Sequence, residues 1–350
     1  MRTQEQDVRA PSPFRRWLLP AAAWSWVLLL ALWARAVGGA ETTPLDNFLL
    51  FVPCWPALLP LPVLAGWALA RRRPAMLVPI AAGVLLSMSL LAVVFPRPRA
   101  AVAGAGLRIF TVNAWGLSTG PRGLAADLLE ARPDVVLLQS VREGTWEALH
   151  CDALAGFHVA RLGQFAIASR WPIEEAEETP DLHTSMGAPW ARFTLKTPWG
   201  LIDVFNVHPR SPHRSLRGIL HGLIHGLTPE ELSEFEAALS LLDRQVGSLA
   251  AAFTHARHRF VVAGDTNLPS HSRILDQKLG HLHDAFMDAG GGTGATYPCH
   301  VPLVPAWLRL DRVLSDGSFR AVSARVGRRG LSRHCSLTVD LIPLTAGQGS

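Results

Sequence analysis

The stretch Phe260-Val-Val-Ala-Gly-Asp-Thr-Asn267 has the pattern of a buried strand that ends in glycine and then presents a carboxylate and a carboxamide. An apolar run without alternation is typical of a strand covered on both faces. Polar side chains at the tips of such strands are where sites are built. A strand followed by a simple Asx turn has the same local sequence, so the neighbouring segments must decide between a site and a turn.

Further segments with polar residues at strand ends lie on both sides of this stretch, in a definite order. They are Thr111–Leu117, Pro133–Gln139, Phe205–His208, Ala295–Pro298, Arg309–Leu314 and Ser332–His334. A helix is predicted within the series, because Thr228 and Glu231 form a capping-box pattern and apolar residues then recur at helical spacing. Short apolar strands mixed with helices predict an α+β domain.

This ordered set resembles the endonuclease/exonuclease/phosphatase superfamily, from about Leu107 to Leu344. The superfamily includes abasic-site endonucleases, pancreatic-type deoxyribonucleases, neutral sphingomyelinases and inositol polyphosphate phosphatases. The resemblance implies a four-layer α/β/β/α sandwich, with the site at the top edge of two packed sheets. It also implies hydrolysis of a phosphate ester, with Mg²⁺ or Mn²⁺ as the cofactor.

The resemblance assigns roles to six side chains. The expected catalytic or phosphate-binding residues are Asn113, His208, Asp265, Asn267, Asp311 and His334. Asp265 and the two asparagines would hold the phosphate and the attacking water, while the two histidines flank the scissile group. Asp311 would orient His334 and raise its basicity. Donors around phosphorus suit a transition state that gathers negative charge.

Besides Trp115, which stands where some members have an acidic residue, two positions depart from the superfamily pattern. Ser140 stands where a glutamate, the principal Mg²⁺ ligand, is expected, and Arg333 replaces an aspartate before the last histidine. Mg²⁺ is usually held by one or two protein carboxylates, so a hydroxyl is a poor substitute. Glu143 is the candidate surrogate ligand if the chain turns helical after Gln139. Arg333 is a candidate phosphate-binding residue whose charge would partly replace that of a cation.

The N-terminal part of the chain is apolar, and it accounts for the mean hydropathy of +0.21. Three stretches, at 17–34, 48–70 and 75–95, approach or exceed the roughly 20 residues of a transmembrane helix. They predict a cytoplasmic tail over 1–16, a transmembrane region over 17–95, a linker over 96–106 and the α+β domain over 107–350. The arginines beside the stretches place that domain outside the cytoplasm of a multi-pass protein. A signal peptide is the alternative for the first stretch.

The remaining signals are charge, cysteine and histidine. A net charge of +5 and a pI near 9.5 fit a protein that works near anionic surfaces or substrates.

Cys151, Cys299 and Cys335 lack metal-type spacing and allow at most one internal disulfide. The glycine- and histidine-rich segment after His208 is interpreted as a mobile loop. A zinc site is not expected there, since no glutamate follows His221 as in metalloproteases.

Three functions are compared on this basis. The leading hypothesis is a membrane-tethered phosphoesterase that hydrolyses an extracytoplasmic phosphodiester or phosphomonoester, with lipid-linked phosphates and membrane lipids as candidate partners. The second is a catalytically degenerate phosphate-binding module, for which Ser140 and Arg333 are the evidence. The third is a tethered nuclease, which needs a basic groove for nucleic acid. The arginines that would line such a groove are Arg320, Arg325, Arg328 and Arg329.

Overall fold

A computed structural model of the protein describes residues 13–39, 43–96, 106–115, 120–142, 145–146 and 154–344. The chain divides into two compact units. One unit includes Met1–Ala40 and Pro53–Ala92, and the other includes Glu41–Val52 and Val93–Ser350.

The first unit is helical. It contains α1 (Pro13–Gly39), α3 (Pro60–Ala70) and α4 (Leu77–Leu90), whereas α2 (Pro44–Leu49) belongs to the second unit. Short 3-10 turns at Trp55–Leu58 and Pro74–Met76 precede α3 and α4. Buried side chains from these elements form a small core: Ala23, Leu64, Ala68 and Met76. Gly83 lets α4 approach α1 closely, since a Cβ there would overlap the ring of Trp26.

The predicted transmembrane spans are wrong. Within the described ranges, no helix combines the length and the apolarity that crossing a membrane requires. The second apolar stretch is divided by prolines, and α3 has only 11 residues. Helix α4 has 14 residues, which makes it about 21 Å long against the roughly 30 Å of a bilayer core. This finding overturns the prediction of a multi-pass, membrane-anchored protein with an extracytoplasmic domain.

The second unit is built on two six-stranded sheets. The first has the order β11-β12-β1-β2-β4-β3, and the second has the order β5-β6-β7-β8-β10-β9. The strands are β1 (Leu107–Asn113), β2 (Val135–Gln139), β3 (His158–Leu162), β4 (Phe165–Ser169), β5 (Ile173–Glu178), β6 (Trp190–Thr197), β7 (Gly200–Val207), β8 (Arg259–Asp265), β9 (His283–Asp284), β10 (Asp311–Ser315), β11 (Phe319–Val326) and β12 (Leu337–Pro343). The helices are α5 (Gly120–Ala131), α6 (His213–His225), α7 (Pro229–Phe253), α8 (Arg273–Leu279) and α9 (Ala285–Ala289).

Alternation along the central strands produces the layers. On β1, Ile109 points into the core between the sheets, while Phe110 packs on the side of α5. On β7, Val204 points into the shared core and Phe205 packs on the side of α7. Because successive side chains of a strand face opposite ways, both sheets are covered on both faces. The two-sheet α+β fold expected for this part of the chain is confirmed.

A polar bridge crosses the interior just below the ends of the central strands. Gln139 on β2 donates from Nε2 to Asn206 Oδ1 on β7 at 2.7 Å, and Asn206 donates from Nδ2 to the carbonyl of Leu138 at 3.1 Å. Both side chains are fully buried. A buried amide is costly unless it is hydrogen-bonded, so these bonds join the two sheets at one defined offset.

Local expectations are met in two places and missed in one. Thr228 and Glu231 form the predicted capping box at the start of α7. Cys299 and Cys335 form a disulfide, while Cys151 lies outside the described residues. The segment after His208 was expected to be a loop, yet it forms α6. That helix is stabilised because Ile219 packs on Phe235 of α7, a contact that local sequence does not reveal.

Candidate functional site

Polar side chains meet where the central strands of both sheets end. Asn113 ends β1, which runs parallel to β2, and Asp265 ends β8, which runs parallel to β7 and leads to the same edge as His208. Asp311 begins β10 directly opposite Asp265 in the antiparallel register. His334 lies just before β12. The structure therefore brings together residues that are up to 221 positions apart in the sequence.

Asp265 is the centre of the group and is 1 % exposed. Its Oδ2 accepts a hydrogen bond from Asn113 Nδ2 at 2.8 Å, and its Oδ1 accepts one from the backbone of Asn267 at 2.9 Å. The strand must pass very close to β7 here, because a Cβ at Gly264 would overlap the carbonyl of Val207. Gly264 also has a φ of 138°, which favours glycine.

Asn267 positions the chain around the site. Its φ of 52° is left-handed, a conformation that asparagine tolerates better than most residues. Its Nδ2 donates to the carbonyl of Pro209 at 2.9 Å. The amide group is thus directed at the segment that follows His208, so Asn267 holds that segment against the Asp265 loop.

Arg312 supports the same loop from behind and was not singled out from the sequence. It is buried, and its Nη1 donates to the carbonyl of Leu268 at 2.9 Å and to Thr266 Oγ1 at 3.2 Å. Burial, and next the charge of Arg309, lower its pKa to about 9, although Asp284 opposes the shift. The motif containing Arg312 was recognised, but its buried position depends on the fold.

His334 and Asp311 form a buried pair. The His334 Nδ1 donates to Asp311 Oδ2 at 2.7 Å, and its Nε2 lies 3.5 Å from Asp265 Oδ2. Burial by itself lowers the pKa of His334, but the charges of Asp311 and Asp265 outweigh it and raise the pKa to about 9. His334 is therefore an imidazolium at neutral pH, and the ring of Tyr297 packs 4.9 Å from it.

The pKa of His208 is shifted in the opposite direction to that of His334. Its Nδ1 donates to Gln164 Oε1 at 2.7 Å, and the Gln164 amide is fixed because its Nε2 donates to the carbonyl of Ala188 at 2.6 Å. Burial lowers the pKa of His208 and outweighs the charge of Asp265. A neutral ring with its proton on Nδ1 leaves the Nε2 lone pair facing Asn113 Nδ2 at 3.2 Å. No sequence motif pointed to Gln164, whose role depends on the packing of β4 beside β7.

Asp265 stays ionised between these two rings. Burial raises its pKa, but the charges of His334 and His208 and the hydrogen bonds from Asn113 and Asn267 lower it further. The site thus contains a carboxylate, an imidazolium and a neutral imidazole. Groups with such different protonation states are suited to proton transfer, since one accepts a proton while another donates.

Arg333 lies at the rim, and its side chain is exposed. Its charge opposes the raised pKa of His334. Burial lowers the pKa of His213, and the charges of Arg217 and Arg333 lower it further. Burial raises the pKa of Tyr297, while Arg333 and Arg217 act against that shift. Arg333 and the first turns of α6 therefore place positive charge around Tyr297 and His334.

The metal site implied by the resemblance fits these residues poorly. Ser140 has a φ of 56°, and its Oγ lies 3.4 Å from His208 Nδ1, so it offers a hydroxyl in place of a carboxylate. Asp265, Asp311 and His334 do have ligand atoms within 4.8 Å of one another. However, His334 carries a proton between the two carboxylates, and a divalent ion would have to displace it. The candidate surrogate Glu143 lies outside the described residues.

Comparisons with known proteins identify the family and the fold. The family model described as the endonuclease/exonuclease/phosphatase family matches residues 110–334. A humanised TDP2 from D. rerio is 18 % identical, covers 68 % of this chain and 99 % of its own, and has a TM-score of 0.51. D. rerio TDP2 bound to a single-strand DNA product is 17 % identical over 68 % and 99 %, with a TM-score of 0.50.

A bacterial structure shows the same fold. An endonuclease/exonuclease/phosphatase family protein from Bacteroides thetaiotaomicron is 15 % identical, covers 69 % of this chain and 99 % of its own, and has a TM-score of 0.50. A search of curated proteins found none that matches the sequence. Members of the matched family are generally hydrolases and typically use a divalent metal. The family model spans well over half of the residues, and the chain belongs to the endonuclease/exonuclease/phosphatase family.

Proposed function

We propose that the protein is a phosphoesterase whose reaction centre is Asp265. One observation carries the proposal: Asp265 Oδ2 lies 2.8 Å from Asn113 Nδ2, 3.5 Å from His334 Nε2 and 3.7 Å from His208 Nε2. A carboxylate surrounded by an amide donor, an imidazolium and a neutral imidazole can receive a proton and stabilise negative charge in the same small volume. A domain with a purely structural role does not need this arrangement.

The reaction follows from the protonation states. When the substrate binds, the Asn113 amide hydrogen that faces His208 Nε2 turns to the phosphate, and the freed Nε2 lone pair holds the attacking water together with Asp265. As the water oxygen bonds to phosphorus, its proton passes to the Asp265 carboxylate. His334 donates its Nε2 proton to the departing oxygen as the ester bond breaks. The proton on Asp265 then returns to His334 Nε2, only 3.5 Å away, which restores the starting state.

Charge stabilisation comes from side chains. Asn113 donates to the phosphoryl oxygens, and Arg333 supplies a guanidinium that can bind them with two parallel bonds. Arg333 and the His334 imidazolium thereby provide positive charge of the kind that relatives obtain from a divalent ion. We expect hydrolysis to persist when divalent metal is chelated. A strict requirement for Mg²⁺ or Mn²⁺ would instead point to a ligand outside the described residues, with Glu143 as the first to test.

The test uses the full-length protein with bis-p-nitrophenyl phosphate as a diester and p-nitrophenyl phosphate as a monoester, with Mg²⁺, Mn²⁺ or chelator. Single-strand DNA is added to the panel because D. rerio TDP2 was solved with such a product. His334→Ala and Asp265→Asn should each lower kcat by about 100-fold or more. His281→Ala is the matched control, since this histidine is exposed. Equal rates for wild type and both variants would sink the proposal.

Ser140 favours one second candidate, a phosphate-binding module without turnover. Its hydroxyl occupies the position where the resemblance predicts a charged metal ligand. This candidate predicts no hydrolysis under any metal condition, together with measurable binding of inorganic phosphate by calorimetry. Arg333→Ala would weaken that binding, whereas Arg329→Ala would leave it unchanged, because Arg329 donates to the carbonyls of Val301 and Val304.

A further inference from the structure

Helix α6 has one face that is packed and another that is not. Ile219 is buried against Phe235 of α7, with Leu216 beside it. Gly222 lies on the same side, and a Cβ there would overlap the side chains of Leu227 and Glu231. These contacts fix the orientation of α6 on the second unit and therefore decide which of its residues face outward.

Three large apolar residues face outward in spite of this packing. We call Leu220, Leu223 and Ile224 the apolar row. Their side chains are 55 %, 50 % and 72 % exposed. The spacing of i, i+3 and i+4 aligns them along one edge of the helix. A contiguous exposed apolar row marks a surface that contacts something other than water.

A second row runs along the neighbouring edge of the same helix. It contains Arg214, Arg217, His221 and His225, which we call the basic row; all four are exposed. The segment from Pro209 to Thr228 contains three arginines, three histidines and no aspartate or glutamate. A carboxylate from α7 lies near this row, where Glu231 Oε1 is 3.7 Å from His221 Nδ1. The outward face is thus apolar along one edge, and the other edge carries two arginines and two histidines.

We propose that α6 docks on the surface of a lipid bilayer that contains anionic headgroups, with the apolar row at the acyl boundary and the basic row at the lipid phosphates. An in-plane amphipathic helix with leucines on one side and arginines on the other binds in this way. Charge complementarity selects this occupant: anionic phosphates suit the basic row, while nucleic acid would leave the apolar row in water. The contact involves one leaflet and requires no spanning helix.

The docked helix adjoins the site already described. His213, the first residue of α6, follows His208 by five positions. Arg217 and Arg333 act together on His213 and on Tyr297, whose ring packs against His334. A phosphate ester in the bound leaflet would therefore lie near Arg333 and His334. This last step alone rests on the proposed function, and it makes phospholipids the substrate class to examine first.

The test places a local reporter on α6 in the full-length protein. Cys54→Ser and Cys151→Ser remove the other cysteines outside the disulfide, and Ile224→Cys then carries an environment-sensitive fluorophore. Leu129→Cys on α5 is the matched control, because Leu129 is also an exposed leucine on a helix, at 63 %. Vesicles contain phosphatidylglycerol with phosphatidylcholine, or phosphatidylcholine alone. A local probe separates contact by α6 from binding by any other part of the chain.

We expect a blue shift and about a twofold or greater rise in intensity at position 224 with anionic vesicles only, and no change at position 129. Arg214→Gln with Arg217→Gln, or high salt, should abolish the signal. Leu220→Ser with Leu223→Ser, measured with the same probe at position 224, should do the same. The proposal is overturned if position 224 behaves like position 129, or if both vesicle types give the same signal. The assay measures contact with vesicles and no hydrolysis, and His334 lies outside α6, so the His334→Ala variant should dock normally. A failure of docking and a failure of hydrolysis are therefore recognised separately.

Discussion

Asp311 Oδ2 accepts a hydrogen bond from His334 Nδ1 at 2.7 Å, and both side chains are buried. This pair keeps a histidine charged in an interior that would otherwise favour the neutral ring. Asp311 is the first of the charges that raise the pKa of His334, and its removal therefore affects both the fold and the chemistry.

The stability contributed by this pair should depend on pH. The pKa of His334 is raised to about 9, above that of an unfolded histidine, so the contribution is complete below about pH 6.5 and is lost as the pH rises through about 9. Asp311→Asn should lower the free energy of unfolding by about 3 kcal/mol at pH 6 and by much less at pH 10. Urea unfolding at both pH values measures this. Asp181→Asn, at an exposed site, should show no such difference, and a loss that is equal at both pH values would contradict the assignment.

The rate of hydrolysis should have a bell-shaped pH dependence. Activity appears as His208 loses its proton, below the ordinary histidine value because burial lowers its pKa, and declines near pH 9 as His334 becomes neutral. Gln164→Glu places a carboxylate against His208 Nδ1 and should raise the pKa of His208 by about 1, moving the acidic limb upward. NMR titration of His208 and a pH–rate profile check both shifts. Gln164→Leu is the control, since it removes the acceptor without adding charge and should leave the acidic limb where it is.

Gly264→Ala should be strongly destabilising. The added Cβ would overlap the carbonyl of Val207, and the φ of 138° is unfavourable for alanine. We expect a loss of about 2–4 kcal/mol in the free energy of unfolding, measured by urea titration. Gly200→Ala is the matched control, because Gly200 has a φ of 98° but open space around its Cβ position. Equal losses at both positions would show that backbone strain, and not the close approach of β8 to β7, is decisive.

Ser140→Glu combined with Arg333→Asp should create affinity for Mg²⁺. The two substitutions introduce the carboxylates that the family resemblance predicts and remove the positive charge that opposes a cation. In the double variant, Mg²⁺ should raise the melting temperature by several degrees, whereas the wild type should not respond. The single variants Ser140→Glu and Arg333→Asp show how much each carboxylate contributes to the Mg²⁺ response. A wild-type response equal to that of the double variant would show that a metal site already exists.

Several of the site residues that were proposed from the sequence lie at the ends of strands. Asp265 follows an apolar run, a local pattern that predicts both the strand and the place of the side chain at its end, whereas Asn113 and Asp311 were assigned through the family resemblance. Gln164 and Arg312 were missed, since their contacts join segments far apart in the sequence. No local periodicity distinguishes a glutamine that fixes an imidazole tautomer from one that faces water.

The two larger errors have physical causes as well. The segment after His208 was interpreted as a loop because Gly218 and Gly222 lower helix propensity, yet Ile219 obtains enough packing on α7 to stabilise a helix. The apolar stretches near the N-terminus were interpreted as spans from their length and apolarity, with the prolines of the second stretch taken as a sign of kinking or partial insertion. Prolines and the 3-10 turn at Trp55–Leu58 divide the second stretch, and the third stretch begins with another 3-10 turn, so α3 and α4 are shorter than the stretches suggested.

The bridge between Gln139 and Asn206 has a consequence for the whole site. Asn113 and His334 are held by one sheet, whereas His208, Asp265 and Asp311 belong to the other. Two purely apolar faces could slide past each other by a fraction of a residue at little energetic cost. Such a slip would separate the site residues of one sheet from those of the other, including Asn113 from Asp265 and His334 from Asp311. A bond of 2.7 Å between two buried amides prevents that sliding, so the distances within the candidate site are set one layer beneath the residues that form it.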